Sequence, residues 1–245
     1  MVFLKLMNEN TINFIFNEIE KAQKILIISH VNPDGDTLGT MCALKLFIGK
    51  KADTLVQTSA ATGIPETYKF LPEINLSKNL DNVQNIYDLV IAVDVASIDR
   101  IVQNARQIFD NAKMTINIDH HKTNNGYAKL NYVIGSTSSA GEVLYNIFKE
   151  KNIEITKDMA DCLYVSILTD TGGFRYENTK PETLEIAAKL IKLGVDNADI
   201  TKKCYNKKAK NMVLFQASIV SKAKFLLNNT VAIALIEESD FRKFG

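Results

Sequence analysis

Short runs of β-branched and aliphatic residues alternate along this chain with longer segments of helical period. Ile25–Ser29 and Leu89–Val93 are apolar almost throughout, and Thr54–Thr58 and Thr115–Ile118 are short β-branched runs beside them. Such runs predict strands buried on both faces. Leu38–Gly49, Ala140–Asn152, Lys157–Leu168 and Glu182–Leu193 have apolar positions at helical spacing. Ser139-Ala-Gly-Glu142 reads as a capping box opening the second of these helices, and Gly194 as a stop for the fourth. Strands separated by helices predict an α/β fold, a parallel β-sheet flanked by helices on both faces. The first 23 residues, up to Gln23, predict an amphipathic helix. They lack the basic start and small-residue cleavage site of a secretory signal.

The pattern changes after Gly194. Asp196–Leu227 predicts helix and carries Lys202, Lys203, Lys207, Lys208 and Lys210 on what reads as its solvated side. Thr230–Ile236, TVAIALI, then predicts a new strand. A single strand makes no stable domain. The expected organisation is therefore a main domain over 1–195, a helical linker over 196–227, and over 228–245 the start of a second, truncated α/β domain.

Composition narrows the function classes. A net charge of +1 gives no broad basic surface for stable duplex DNA, although a local cleft can still hold a small anion. No apolar run approaches the roughly 20 residues that span a bilayer, so no membrane association is expected. Cys42, Cys162 and Cys204 are odd in number and widely spaced, as befits reduced packing thiols. The expected location is the cytoplasm.

The chemistry-bearing residues gather at the ends of the apolar runs. His30-Val-Asn-Pro-Asp34-Gly-Asp36 follows the first strand, and Asp94 ends LVIAVD. Asp119-His120-His121 closes the strand TINID, and Asp170-Thr-Gly172-Gly173-Phe-Arg175-Tyr176 follows CLYVSILT, a run that is strand-like in itself but lies in a helical window. Each has a plainer reading by itself: a turn for Asn-Pro-Asp-Gly, a helix cap for Asp94, a glycine turn with an exposed arginine for the last. The adjacent histidines are harder to read as structural. Taken together, carboxylates meeting at one sheet edge repel by several kcal/mol at an effective dielectric of about 20, unless protons or cations intervene. Mixed carboxylate and imidazole donors suit borderline divalent ions such as manganese.

These four motifs, in this order, resemble the signatures of the DHH phosphoesterase family, over roughly Lys24 to Val195. The similarity is greatest to its bacterial nano-RNases that also dephosphorylate adenosine 3′,5′-bisphosphate; RecJ exonucleases and family II pyrophosphatases are related. The resemblance implies a two-metal phosphoesterase with two divalent ions, Mn2+ first and Mg2+ or Co2+ as substitutes. It implies His30, Asp34 and Asp94 around one ion, and Asp36, Asp94, His120 and Asp170 around the other. Asp119 would orient an imidazole, His121 would face the scissile phosphate, and Arg175 would help hold it. Ser138 and Ser139, in the hydroxyl-rich Ser136–Ser139 loop, and Gly172 and Gly173 would support the cleft.

Substrates implied are short RNA oligonucleotides, cut to mononucleotides, and adenosine 3′,5′-bisphosphate, cut to AMP and phosphate; a homodimer is compatible with this. The rival readings are a phosphodiesterase for cyclic dinucleotides or pApA, and a catalytically weak nucleotide-binding module. The latter reading stems from a departure. The family's C-terminal domain ends in a glycine-rich, histidine-containing segment, whereas this chain has no histidine after His121 and no glycine between Gly194 and Gly245.

Overall fold

The structure, a computed structural model, describes residues 2–49, 55–59, 63–76, 86–101 and 105–244. It divides into two compact units, Met1–Cys204 and Tyr205–Gly245.

The first unit is built on five parallel strands: β1 (Lys24–Ile28), β2 (Leu55–Ser59), β3 (Leu89–Val93), β4 (Met114–Asp119) and β5 (Leu130–Val133), in the order β2-β1-β3-β4-β5. The predicted strands are all present, although Thr54 lies outside the described residues. β5 was not anticipated. It is a four-residue edge strand, only partly buried, and so lacks the continuous apolar run that announces the central strands. Ile25–Ile28 and Leu89–Val93 are almost wholly removed from water, as the absence of polar alternation requires.

Helices cover both faces. α1 (Val2–Lys21), α2 (Gly35–Ile48), α4 (Ala140–Glu150), α5 (Lys157–Asp170) and α6 (Pro181–Lys192) match predicted segments, with Met1 outside the described residues. α2, α4 and α5 pack on one another, and α2 and α4 also lie on the sheet. On the other face Leu26, Ile28, Val90 and Ala92 form a core with Phe109 of the short α3 (Ala105–Asn111). Alternation along each strand sends the intervening residues to the opposite face.

Two local expectations are corrected. CLYVSILTD belongs entirely to α5, so Asp170 comes from a helix end and not from a strand. The helix expected over Lys157–Leu168 extends to Asp170 and is buried on nearly every side from Met159 to Leu168, which gives its second half the apolar look of a strand. At α4, Ser139 accepts from the Glu142 backbone amide at 3.0 Å as a capping box requires. The Glu142 carboxylate instead receives the Ser138 amide at 3.2 Å and hydroxyl at 2.5 Å, and the Thr183 hydroxyl at 2.8 Å. It ties α6 to the loop before α4.

The segment 196–227 is not one helix. It contains α7 (Asn197–Thr201), a π turn at Lys202–Asn206 and, after a break, α8 (Lys210–Ser221). The break falls at Lys207-Lys208-Ala209, which offers no large apolar side chain to bury. In the second unit β6 (Lys224–Leu226) and β7 (Val231–Ile233) pair antiparallel, followed by α9 (Glu238–Phe244). Leu227, Asn228 and Asn229 all take positive φ between these strands. Asparagine tolerates that conformation well, which suits the pair to a tight reversal.

Candidate metal centre

The strand order reverses between β1 and β3, where the chain first moves outward to β2 and then returns to the other side of β1. At such a switch point the carboxyl ends of adjacent strands open a crevice. Ile28 is level with Ala92, and Val93 with Ile118. Continuing this register places His30 and Asp94, just past their strands, at one rank with Asp119, the last residue of β4. Asp94 has φ +59, an uncommon conformation for a residue with a side chain, while its amide still donates to the Ile118 carbonyl at 3.0 Å.

The helices bring the remaining groups. Asp34 caps α2, accepting the amides of Asp36 at 3.1 Å and Thr37 at 3.2 Å. The turn reading of this loop holds, and the cap fixes the Asp34 carboxylate beside His30. Gly35 lets the start of α2 close on the end of α5: a Cβ there would fall 2.5 Å from the Thr169 side chain. Asp36 and Asp170 thereby converge.

Among the described residues, three donor clusters result: His30 with Asp34 and Asp94; Asp36 with His120 and Asp170; and Asp94 with Asp119, His120 and His121. His30 donates Nδ1–H to the Val31 carbonyl at 2.7 Å, which leaves Nε2 facing Asp34 Oδ1 at 3.7 Å and Asp94 Oδ2 at 3.5 Å. His120 Nε2 faces Asp36 Oδ2 at 3.4 Å, Asp94 Oδ1 at 3.5 Å and Asp170 Oδ2 at 3.7 Å. Asp94 thus turns one oxygen to each imidazole. Its Oδ1 is buried without a hydrogen-bond partner, a costly state for a carboxylate oxygen unless a cation completes it. Donors about 2.1 Å from a divalent ion stand about 3.0–3.4 Å apart at octahedral or tetrahedral angles. The observed separations are slightly wider than that, and at or beyond the limit of a hydrogen bond. The donors present therefore fit divalent ions.

The titration behaviour reflects the same crowding. Burial raises the Asp36 carboxyl well above its ordinary range, with repulsion from Asp94 adding to it. Burial, with Asp94 and Asp34, lifts Asp170 to about 6 despite the attraction of His120. Burial opposes the charged forms of His30 and His120, yet the carboxylates around them prevail and push both up to about 10.

His121 stands apart. Its Nδ1 donates to Asp119 Oδ1 at 2.7 Å, and that carboxylate also accepts the His120 amide at 2.8 Å and the Asn124 side-chain amide at 2.6 Å. The bond to Asp119 raises the His121 ring above its ordinary value. The two neighbouring imidazoles thus have different surroundings. Arg175 folds onto its own turn, donating Nε–H to the Gly172 carbonyl at 2.5 Å. Gly172, Gly173 and Phe174 all have positive φ, and a Cβ on Gly172 would collide with the Tyr176 ring. Ser138 and Ser139 are fully buried and serve the α4 cap described above.

Sequence reasoning missed two asparagines. Asn124 braces Asp119, and the Asn178 amide donates to the Ser138 carbonyl at 3.0 Å and the Asp170 carbonyl at 3.1 Å. Both sit in polar loops where asparagine is ordinary turn chemistry, so nothing local sets them apart.

A family model for the DHH family, N-terminal domain, matches residues 24–167. The chain belongs to the DHH family. Membership makes it a metal-dependent phosphoesterase. It is 30% identical over 238 residues to a Bacillus subtilis protein named bifunctional oligoribonuclease and PAP phosphatase NrnA, covering 94% of this chain and 72% of that protein. A protein of the same name from Thermus thermophilus is 34% identical over 190 residues, covering 75% of this chain and 55% of that one. Among solved structures, an exopolyphosphatase-related protein from Bacteroides fragilis has a TM-score of 0.89 at 25% identity, over 96% of this chain and 72% of that one. Among the described residues, no helix is long and apolar enough to cross a membrane.

Proposed function

We propose that the chain hydrolyses short oligoribonucleotides to mononucleotides, and adenosine 3′,5′-bisphosphate to AMP and phosphate, with two manganese ions. The observation that carries this is Asp94, whose two oxygens face two separate donor sets. The names of the relatives support the substrate class.

His30, Asp34 and Asp94 would hold one ion, and Asp36, Asp94, His120 and Asp170 the other. Bound there, the ions would supply an activated water and neutralise charge on the phosphoryl oxygens. The remaining chemistry falls to the chain itself. Asp119 holds His121 by Nδ1, so the ring presents Nε2. The bond to Asp119 favours the charged ring, and in that form Nε2–H can donate to a phosphoryl or leaving oxygen. Gly172 aims the Arg175 side chain by accepting from its Nε, and the terminal guanidinium nitrogens are the groups that would meet a second phosphate oxygen.

The test is hydrolysis of a five-nucleotide RNA, pApA, adenosine 3′,5′-bisphosphate and pyrophosphate in Mn2+ buffer. Turnover of the first three, lost in chelator, is expected. Pyrophosphate as the sole substrate would refute the assignment.

A further inference from the structure

Asp36 is almost wholly buried, and its two oxygens have unequal surroundings. Oδ1 accepts three donors: the Ser166 hydroxyl at 2.5 Å, the Gly141 amide at 3.2 Å and the Thr40 hydroxyl at 3.3 Å. Oδ2 accepts only the Ala140 amide, at 2.9 Å, and is the oxygen facing His120 Nε2 at 3.4 Å. A carboxylate oxygen has about two lone-pair sites. Oδ1 is therefore saturated by the protein, whereas Oδ2 keeps one direction open toward the cluster.

Ser166 is the strongest of these donors and links three helices. Its oxygen also accepts the Gly141 amide at 3.0 Å, so α5 is joined to α2 through Asp36 and to α4 directly. The space for it is specific, since a Cβ on Gly141 would collide with the Ser166 hydroxyl. Ser166 also lies one helical turn before Asp170. A single helix therefore supplies one member of the Asp36, His120 and Asp170 cluster and clamps a second.

We infer that Ser166 is a positioning residue that locks Asp36 into one-oxygen coordination and so sets the affinity and ion preference of that site. This rests on the metal-centre reading above. One-oxygen coordination favours small ions with near-octahedral geometry, whereas Ca2+ readily takes both oxygens of a carboxylate. Freed from its clamp, Oδ1 can turn toward the ion.

The test is titration of the folded protein with MnCl2 and, separately, CaCl2, the two Mn2+ steps being assigned with His30→Ala and Asp170→Asn. Ser166→Ala is expected to weaken Mn2+ at the Asp36 site by about 10–100-fold, the usual cost of losing a ligand's supporting hydrogen bond. Ca2+ should weaken less, narrowing the Mn2+ preference, and the step at His30 and Asp34 should stay close to wild type. Cys162→Ala, one turn earlier on the same buried face, is the packing control. It should lower the melting temperature without moving either step. Thr40→Val removes the longer hydroxyl bond and should give a smaller loss at the same step; it decides the matter if Ser166→Ala does not fold. Unchanged Mn2+ affinity in Ser166→Ala, or in Thr40→Val in that case, overturns the inference. So does an equal loss in Cys162→Ala. A wild-type protein that takes up no Mn2+ removes the metal-centre reading and this inference with it.

Discussion

At the scale of single residues, Asp94 and His121 carry separable parts of the chemistry. Asp94→Asn keeps the shape but loses the charge that faces both imidazoles; calorimetry should then show neither Mn2+ step at wild-type affinity. His121→Ala should leave Mn2+ stoichiometry intact and lower kcat by about 10²–10⁴-fold, the range for a general acid. The raised histidines also set a pH dependence. His30 and His120 hold protons up to about 10 without metal, and a metal needs the neutral rings. Mn2+ affinity should therefore climb with pH up to about 10. At pH 8 binding should release protons, read from calorimetric heats in buffers of different ionisation enthalpy. In the metal-free fold the sign is opposite. The stabilisation from these raised values is complete below 6.5 and is lost as pH rises through about 10. Zero proton release would show that the imidazoles are not displaced from their protons by metal.

At the scale of elements, the close approach of α2 and α5 decides whether Asp36 reaches Asp170. Gly39 makes that approach feasible, since a Cβ there would collide with the Cys162 carbonyl and sit 3.0 Å from the Ser166 amide. Backbone cannot swing aside, so Gly39→Ala should destabilise the fold by about 1–3 kcal/mol, measured by denaturant unfolding. An unchanged midpoint would mean that the helices can part freely. The same packing explains what was legible beforehand. The motifs after β1 and β3 stood out because each follows an apolar run, and the one after β4 because of its adjacent histidines. Asp170 was harder to place: CLYVSILT is strand-like in itself, and the helix expected over Lys157–Leu168 runs on to Asp170. The edge strand β5 and short α3 are too short to show a period at all. Ser166 was hidden for another reason. Inside LYVSIL a serine reads as a tolerated small residue, and only the fold shows that Asp36, distant in sequence, is its partner.

At the scale of the whole molecule, the first unit gathers like charges at one edge of its sheet, a repulsion that bound cations would relieve. Ions that bind only the folded state stabilise it by about 2.7 kcal/mol each at a hundredfold excess over Kd. For a chain of this size that is a rise of roughly 5–10 °C in melting temperature per ion, to be reversed by chelator in a thermal scan. No shift would argue that the clusters are satisfied by protons alone. The family and its α/β architecture were readable from the order of motifs, because each motif couples a strand end to its chemistry. Choice among substrates was not readable in that way, since it depends on surfaces that meet the nucleotide beyond its phosphate. The most direct test of the central claim is anomalous scattering at the manganese edge from crystals grown with MnCl2. Two peaks are expected about 3.5–4 Å apart, one beside His30 and Asp34, the other beside Asp36, His120 and Asp170, with Asp94 touching both. A single peak, or two that do not share Asp94, would contradict it.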